Sequence, residues 1–315
     1  MNRKAIIFGI KGYKLNKREK LLFRKYKPWG AILFSRNIKN LYQLKKLVAD
    51  IKSIFNERDY PILIDVEGGK VSRINKIMDL SIFSQSYFGE LYKKKRNSFF
   101  YQYQIYINSV SSILKEVGIN VNTVPVLDLK HNNAHNIIGS RSFSRHAKNV
   151  SYLGKTCVAL YSKNKIATVT KHIPGHGLAK SDSHHNTPLI NQSLKRLKKN
   201  DFKPFKECKS QFAMTAHVIY KNIDSNNTVT HSKKLIKNII RKEFNFRGIL
   251  ISDDISMKSL KFSLETNAVR ALDSGCNLVL HCNGNIKEMN KLIKVIPKID
   301  KFTSKKTSQF LRFLG

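Results

Sequence analysis

The sequence predicts an α/β fold: a single (β/α)8 barrel over residues 1–315, with a basic tail from about residue 296. Three observations predict it. Eight short runs of apolar, β-branched residues recur along the chain, and near-continuous apolar runs are how strands buried on both faces read. Their ends fall near residues 9, 34, 65, 125, 171, 216, 253 and 281, and every gap leaves room for the crossover helix that parallel pairing requires. No Asn-Gly or Asp-Gly turn joins neighbouring runs, which argues against an antiparallel sheet. The alternation alone also allows an open doubly wound sheet. The Gly-x-Gly-x-x-Gly loop after the first run is missing, however, and eight strands are the count of a closed barrel.

In chain order, the first two strands are expected at residues 4–9 and 30–34, followed by a helix at 41–56. The third strand, 61–65, precedes the longest gap, which must hold more than one helix, and residues 80–117 look helical for most of their length. Strands at 119–125 and 166–171 flank a helix at 150–162. Strands at 211–216 and 248–253 flank one at 233–244, and a helix at 264–274 leads to the last strand at 277–281. The tail reads as one more helix followed by a loose end.

Composition narrows the function. The 315 residues carry 58 Lys plus Arg against 21 Asp plus Glu, a net charge of +37, which first suggests a nucleic-acid or membrane-surface partner. But 44 of the basic residues are Lys and only 14 are Arg, and they are scattered along the chain. Phosphate and base readers lean on Arg for bidentate contacts, so a nucleic-acid partner is not expected. Lys and Asn share A/T-rich codons, and genome composition alone would give such a surface. No stretch approaches the roughly 18 apolar residues of a membrane span, so no membrane partner is expected either. The four cysteines lack Cys-x-x-Cys spacing and read as free thiols of a cytoplasmic protein, expected to be a monomer.

The polar residues that end the apolar runs carry the chemistry. They are Asp65-Val66-Glu67-Gly68-Gly69, Pro125-Val126-Leu127-Asp128, Lys171-His172-Ile173-Pro174-Gly175-His176-Gly177, Ala216-His217 and Ser252-Asp253-Asp254. In a barrel all of them project at the C-terminal mouth, where active sites of this fold are built. Six of the 21 acidic residues (Asp65, Glu67, Asp128, Asp182, Asp253, Asp254) fall in these motifs or their loops.

A carboxylate held at a strand end, such as Asp253, suits a nucleophile or metal ligand; the competing use is a helix N-cap after Ser256. Around Lys171, four histidines and Asp182 fit either a zinc site or an Asp182–His184 carboxylate–imidazole pair for acid–base work. Pro174, Gly175 and Gly177 rule out the helix that His172 and His176 would need for metal spacing of the i, i+4 type. Lys171 could alternatively form a Schiff base, given an apolar pocket. Asp65 and Glu67 suit a metal or sugar hydroxyls, and Arg73 and Arg141 suit an acyl or carboxylate group.

Taken together, these motifs resemble glycoside hydrolase family 3, and more narrowly its single-domain bacterial β-N-acetylglucosaminidases of peptidoglycan recycling. The likeness runs from about Leu33 to Cys282. It includes Leu33-Phe34-Ser35-Arg36-Asn37, the Asp65 to Arg73 block, Gly139-Ser140-Arg141-Ser142-Phe143, the Lys171 to Gly177 block with Asp182-Ser183-His184, and Ser252-Asp253-Asp254-Ile255-Ser256. The resemblance implies a retaining exo-hydrolase of terminal β-linked GlcNAc, with a GlcNAc-anhydro-MurNAc muropeptide as the expected saccharide substrate. It implies Asp253 as nucleophile and His184, partnered by Asp182, as acid/base. Asp65, Arg73, Arg141, Lys171 and His172 would bind the sugar, and no cofactor or metal is implied. The chain departs from the family at Val66, Lys70, Ser140 and Ile173, where Gln, Arg, Glu and Phe are usual.

Overall fold

The computed structural model describes residues 2–183 and 186–315. Its centre is a closed barrel of eight parallel strands. These are β1 (Lys4–Gly9), β2 (Pro28–Leu33), β3 (Ile62–Ile64), β4 (Val121–Asn122), β5 (Ala167–Ile173), β6 (Phe212–Thr215), β7 (Ile249–Asp254) and β8 (Leu278–His281). Each strand pairs with its neighbours in sequence, and β1 closes the ring on β8, with Ile7 opposite Leu280.

The expected strands are all present, and four (β3, β4, β6 and β8) are shorter than their apolar runs, β4 most of all. In β4 the backbone ladder gives way to side chains. Asn120 Oδ1 accepts from Ile62 N at 2.9 Å, and Asn122 bonds both Val66 N and Val66 O at 2.9 and 3.1 Å. Pro125, three residues on, has no N–H to extend the ladder.

The outer layer comprises α1 (Lys17–Tyr26), α2 (Leu41–Ser53), α3 (Gln85–Lys94), α4 (Arg96–Val117), α5 (Ala147–Lys163), α6 (Leu194–Lys199), α7 (Lys203–Glu207), a wide π-type helix at Leu235–Glu243, α8 (Leu264–Ser274), α9 (Ile286–Val295) and α10 (Lys301–Leu314). The long gap after β3 holds two helices, as its length requires. No helix starts at Ser256: α8 begins at Leu264 under a Ser263 cap, which removes the capping role considered for the Asp254–Ser256 region.

The tail differs from expectation as well. Instead of a loose end, α10 is helical through Leu314 and lies across the N-terminal ends of the strands. Phe310 packs edge-on against Phe212 with ring centres 5.2 Å apart, and Trp29 Nε1 donates to Thr307 Oγ1 at 2.8 Å. Periodic apolar residues in a Lys-rich segment were enough to dock it.

Candidate active site

The strand-end motifs meet in one cavity of about 470 Å3 at the barrel mouth. Asp65, Glu67, Arg73, Arg141, Lys171, His172, His176, Ser183, Asp253 and Asp254 all line it, with Phe34, Met214 and Leu280 among its apolar walls.

The Asp65 to Arg73 block is shaped by its glycines. Gly68 and Gly69 adopt φ of 85° and 59°, and a Cβ on Gly68 would lie 2.0 Å from Phe83 O. The turn they permit pairs Val66 with Ser72 and brings the chain back, so that Arg73 N donates to Asp65 O at 3.0 Å. The Arg73 guanidinium then reaches Asp65 Oδ2 at 3.2 Å.

Lys171 is the hub of the polar floor. Its ammonium lies 3.0 Å from Asp65 Oδ1 and 2.6 Å from Glu67 Oε1, and it donates to Thr123 Oγ1 at 3.0 Å. Glu67 in turn takes Arg141 side-on, with Nε to Oε2 at 2.8 Å and Nη2 to Oε1 at 2.9 Å. Burial alone would push both carboxyls up. The cations Lys171 and Arg73 hold Asp65, and Arg141 and Lys171 hold Glu67, well below the usual carboxylate range. For Lys171 burial pulls the other way, but Asp65 and Glu67 outweigh it and raise its pKa. An amine so firmly protonated between two carboxylates is the reverse of the apolar pocket that a Schiff-base lysine needs.

Successive strand residues normally face opposite sides. Lys171 and His172 nevertheless both line the cavity, because the β5–β6 register shifts between Lys171 and Ile173. Below them lies Asp128, fully buried. It accepts from His172 N at 3.2 Å, from His172 Nδ1 at 2.7 Å and from His176 N at 2.6 Å. Despite burial, these neighbours hold its carboxyl below the ordinary value. An ionised carboxylate only accepts, so His172 carries a proton on Nδ1 and keeps Nε2 for the cavity. Among the described residues no group of three or more His, Cys, Asp or Glu is arranged to hold a metal ion. The His172 ring is spent on Asp128 and the His176 ring on Ser183.

Asp253 stands at the end of β7. Its Oδ1 accepts from Asp254 N at 2.8 Å. Burial would raise its pKa, but His217, His172, the Asp254 N–H and Lys171 hold it below the ordinary value, so the carboxylate is ionised at neutral pH. Asp254 serves the local backbone, accepting from Ser256 N at 3.1 Å and Cys282 N at 3.3 Å. His217, fully buried beside Asp253, spans Thr230 Oγ1 at 2.7 Å and Asp254 O at 3.0 Å.

Of the expected site residues, Asp65, Arg73, Arg141, Lys171, His172 and Asp253 are therefore brought together. Asp182 is half-buried on the loop after β5, and its neighbour Ser183 lines the cavity, bonded to His176 Nε2 at 3.1 Å. His184, the expected acid/base, lies with His185 outside the described residues. Sequence reasoning missed the supporting roles of Asp128, Thr123 and His217. Their only signal was position at a strand end. It also gave Arg141 an open guanidinium, much of which is committed to Glu67.

Comparison with known proteins places the chain in a family. The family model for the glycosyl hydrolase family 3 N-terminal domain matches residues 5–309. A β-hexosaminidase of Haemophilus influenzae is 31% identical over 287 residues, covering 89% of this chain and 79% of that protein. One of Bordetella avium is 30% identical over 285 residues, covering 88% and 80%. The structure of NagZ from Neisseria gonorrhoeae in complex with N-trifluoroacetyl-D-glucosamine superposes with a TM-score of 0.89 at 28% identity, covering 98% of this chain and 90% of that one. A family 3 β-N-acetylglucosaminidase from a Paenibacillus species gives 0.83 at 25% identity, covering 98% and 60%. With its barrel and nearly its whole length matched, the chain belongs to glycosyl hydrolase family 3.

Proposed function

We propose that this glycoside hydrolase, a β-N-acetylhexosaminidase, is a retaining exo-enzyme that removes terminal β-linked GlcNAc. We further propose that its substrate is a muropeptide ending in 1,6-anhydro-MurNAc, met in the cytoplasm during cell-wall recycling, and that it acts as a monomer. The observation that supports the chemistry is the ionised carboxylate of Asp253, half-buried at the end of β7 and facing the cavity that Asp65, Arg73, Lys171 and His172 line.

In this reading Asp253 attacks the anomeric carbon. The bond to the leaving oxygen breaks, and that oxygen takes a proton from His184. Water then loses a proton to His184 and displaces Asp253 from the covalent glycosyl-enzyme, restoring both groups. Asp182 keeps the other ring nitrogen protonated throughout, so that the nitrogen that has given up its proton is free to take the one from water. Asp65, whose oxygens are fixed by Lys171, Arg73 and Thr123, offers its remaining lone pairs to sugar hydroxyls. His172 Nε2 reaches the same face. Arg141, braced on Glu67, fixes the cavity wall that meets the N-acetyl side of the sugar.

Asp253→Asn tests the nucleophile: turnover of an aryl β-N-acetylglucosaminide is expected to fall by about 10^4-fold or more. A pure variant that keeps substantial activity would overturn the assignment. His184→Ala tests the acid, since substrates with poor leaving groups should suffer more than activated aryl glycosides. A panel of GlcNAc, GalNAc and glucose aryl glycosides beside anhydro-muropeptides tests the substrate, and preference for any sugar but GlcNAc would contradict it.

A further inference from the structure

The mouth absorbs the strand-end motifs but leaves one dense feature of the sequence unused. Lys93-Lys94-Lys95-Arg96 is the only run of four consecutive basic residues in the chain. Nine aromatic residues fall between Phe83 and Tyr106, and Glu90 is the one acidic residue from 80 to 115. In the structure the run sits at the break between α3 and α4, fully exposed.

Some of these aromatics are core. Phe88, Phe99 and Tyr103 are buried against the barrel. Others project outward on the same flank: Tyr101 is 70% exposed, Ile105 47%, Tyr152 of α5 41% and Phe100 40%. Tyr92 and Tyr152 stack at 5.3 Å, Phe100 meets Tyr152 edge-on, and Arg96 lies over the Tyr92 ring at 4.8 Å. The patch also lies toward the mouth. α3 starts where Gln85 Nε2 donates to Val126 O at 2.9 Å beyond β4, and α5 starts just after Arg141.

Apolar and aromatic side chains standing out of a polybasic surface match the charge and polarity profile of an anionic bilayer surface: cations at the headgroups, rings at their level. Two other occupants fit worse. A second copy would bring +37 against +37. Single-stranded nucleic acid needs successive free ring faces for bases, yet Tyr92 and Tyr152 cover each other, Arg96 caps Tyr92 and Phe100 packs on Tyr152, which leaves Tyr101 alone.

We propose that this flank docks the enzyme peripherally on anionic lipid membranes, with Lys93, Lys94, Lys95 and Arg96 among the headgroups and Phe100, Tyr101 and Ile105 set into the interface. No helix among the described residues is long and apolar enough to cross a membrane, and none is needed for this mode. The proposal revises the expectation of no membrane partner and is independent of which glycoside is cleaved.

The test is co-sedimentation of the full chain with phosphatidylcholine vesicles, with and without about 30% phosphatidylglycerol, at about 0.1 M salt. Binding is expected only with phosphatidylglycerol. Changing Lys93, Lys94, Lys95 and Arg96 together to Gln should lower the partition coefficient at least tenfold, and so should Phe100→Ser with Tyr101→Ser and Ile105→Ser. A control that removes equal charge from the α9 side, with Lys287, Lys291, Lys294 and Lys298 changed to Gln, should lower it less than about threefold. Unchanged melting temperatures show that each variant is folded. Equal losses in patch and control variants, native-like binding by the triple serine variant, or no binding of the native chain would overturn the proposal. So would patch-dependent capture of an RNA oligonucleotide in preference to the vesicles.

Discussion

The two ends of the barrel share the same eight strands and are built on opposite principles. At the mouth, Asp65, Glu67, Asp128, Lys171 and Asp253 are buried or nearly so, each charge held by an opposite charge or an N–H. At the bottom, Trp29, Phe212 and Phe310 pack ring against ring, and one hydrogen bond from Trp29 to Thr307 satisfies the indole. A hollow of about 650 Å3 beside Phe246, Phe310 and Phe313 lies at the bottom, so the mouth cavity of about 470 Å3 is not set apart by its size. Volume therefore does not locate the chemistry here. Buried, fixed, ionised groups do, because burial of charge destabilises a fold unless it is paired. The mouth trades stability for reactivity, and the bottom supplies the stability.

That contrast can be broken by substitutions at each end. Lys171→Met should show the largest effect, because it strands Asp65 and Glu67 without their shared cation. A stability loss of about 3–5 kcal/mol is expected, together with a collapse of kcat/KM. If denaturant melts show no loss, the lysine is not the hub of the floor. Phe310→Ala should cost about 3–4 kcal/mol through the cavity it leaves, while kcat/KM at 25 °C changes less than about twofold. A large activity loss in that variant would mean the two ends are coupled.

A share of the pH dependence of stability should belong to the mouth. Burial, and after it His172, lowers the pKa of His176 from 6.5 to about 4. Above 6.5 neither state is protonated and the contribution is full. As pH falls toward 4 the unfolded chain takes up a proton that the folded site refuses, and about 3 kcal/mol is lost. Melting curves at stepped pH should show the drop in the native chain and in Phe310→Ala, and a shallower one in His176→Gln. An unchanged slope in His176→Gln would assign the dependence elsewhere. The smallest effect is expected from Thr307→Val, which leaves the Trp29 indole N–H unpaired at a cost of about 1–2 kcal/mol. A neutral result would show that the bottom is held by ring packing alone.

The barrel was legible because each strand is buried on both faces, so that a run such as Ala5-Ile6-Ile7-Phe8 has few other readings. The candidate site was legible because polar residues interrupt those runs at one end only. What stayed hidden depends on distance along the chain. Arg141 and Glu67 are 74 residues apart, and nothing local to either announces the pair. Asp128 looked like one strand-end acid among several, and its role as the anchor of His172 and His176 emerges only when β4 and β5 lie side by side. The same limit explains why β4 looked longer than it is: side chains of Asn120 and Asn122 replace backbone pairing that an apolar run would suggest.

The closure of β1 on β8 carries a consequence for biosynthesis. β1 leaves the ribosome ahead of the other seven strands, and its partner on that side is made some 270 residues later. At about 5–20 residues per second, that is on the order of 15 to 50 s. Throughout that interval the Ile6-Ile7-Phe8 strand has one edge open to other chains. A newborn chain of this protein should therefore be most dependent on chaperones just before residue 281 emerges, and ribosome-stalled fragments ending near 275 should aggregate more readily than those carrying β8 and α10.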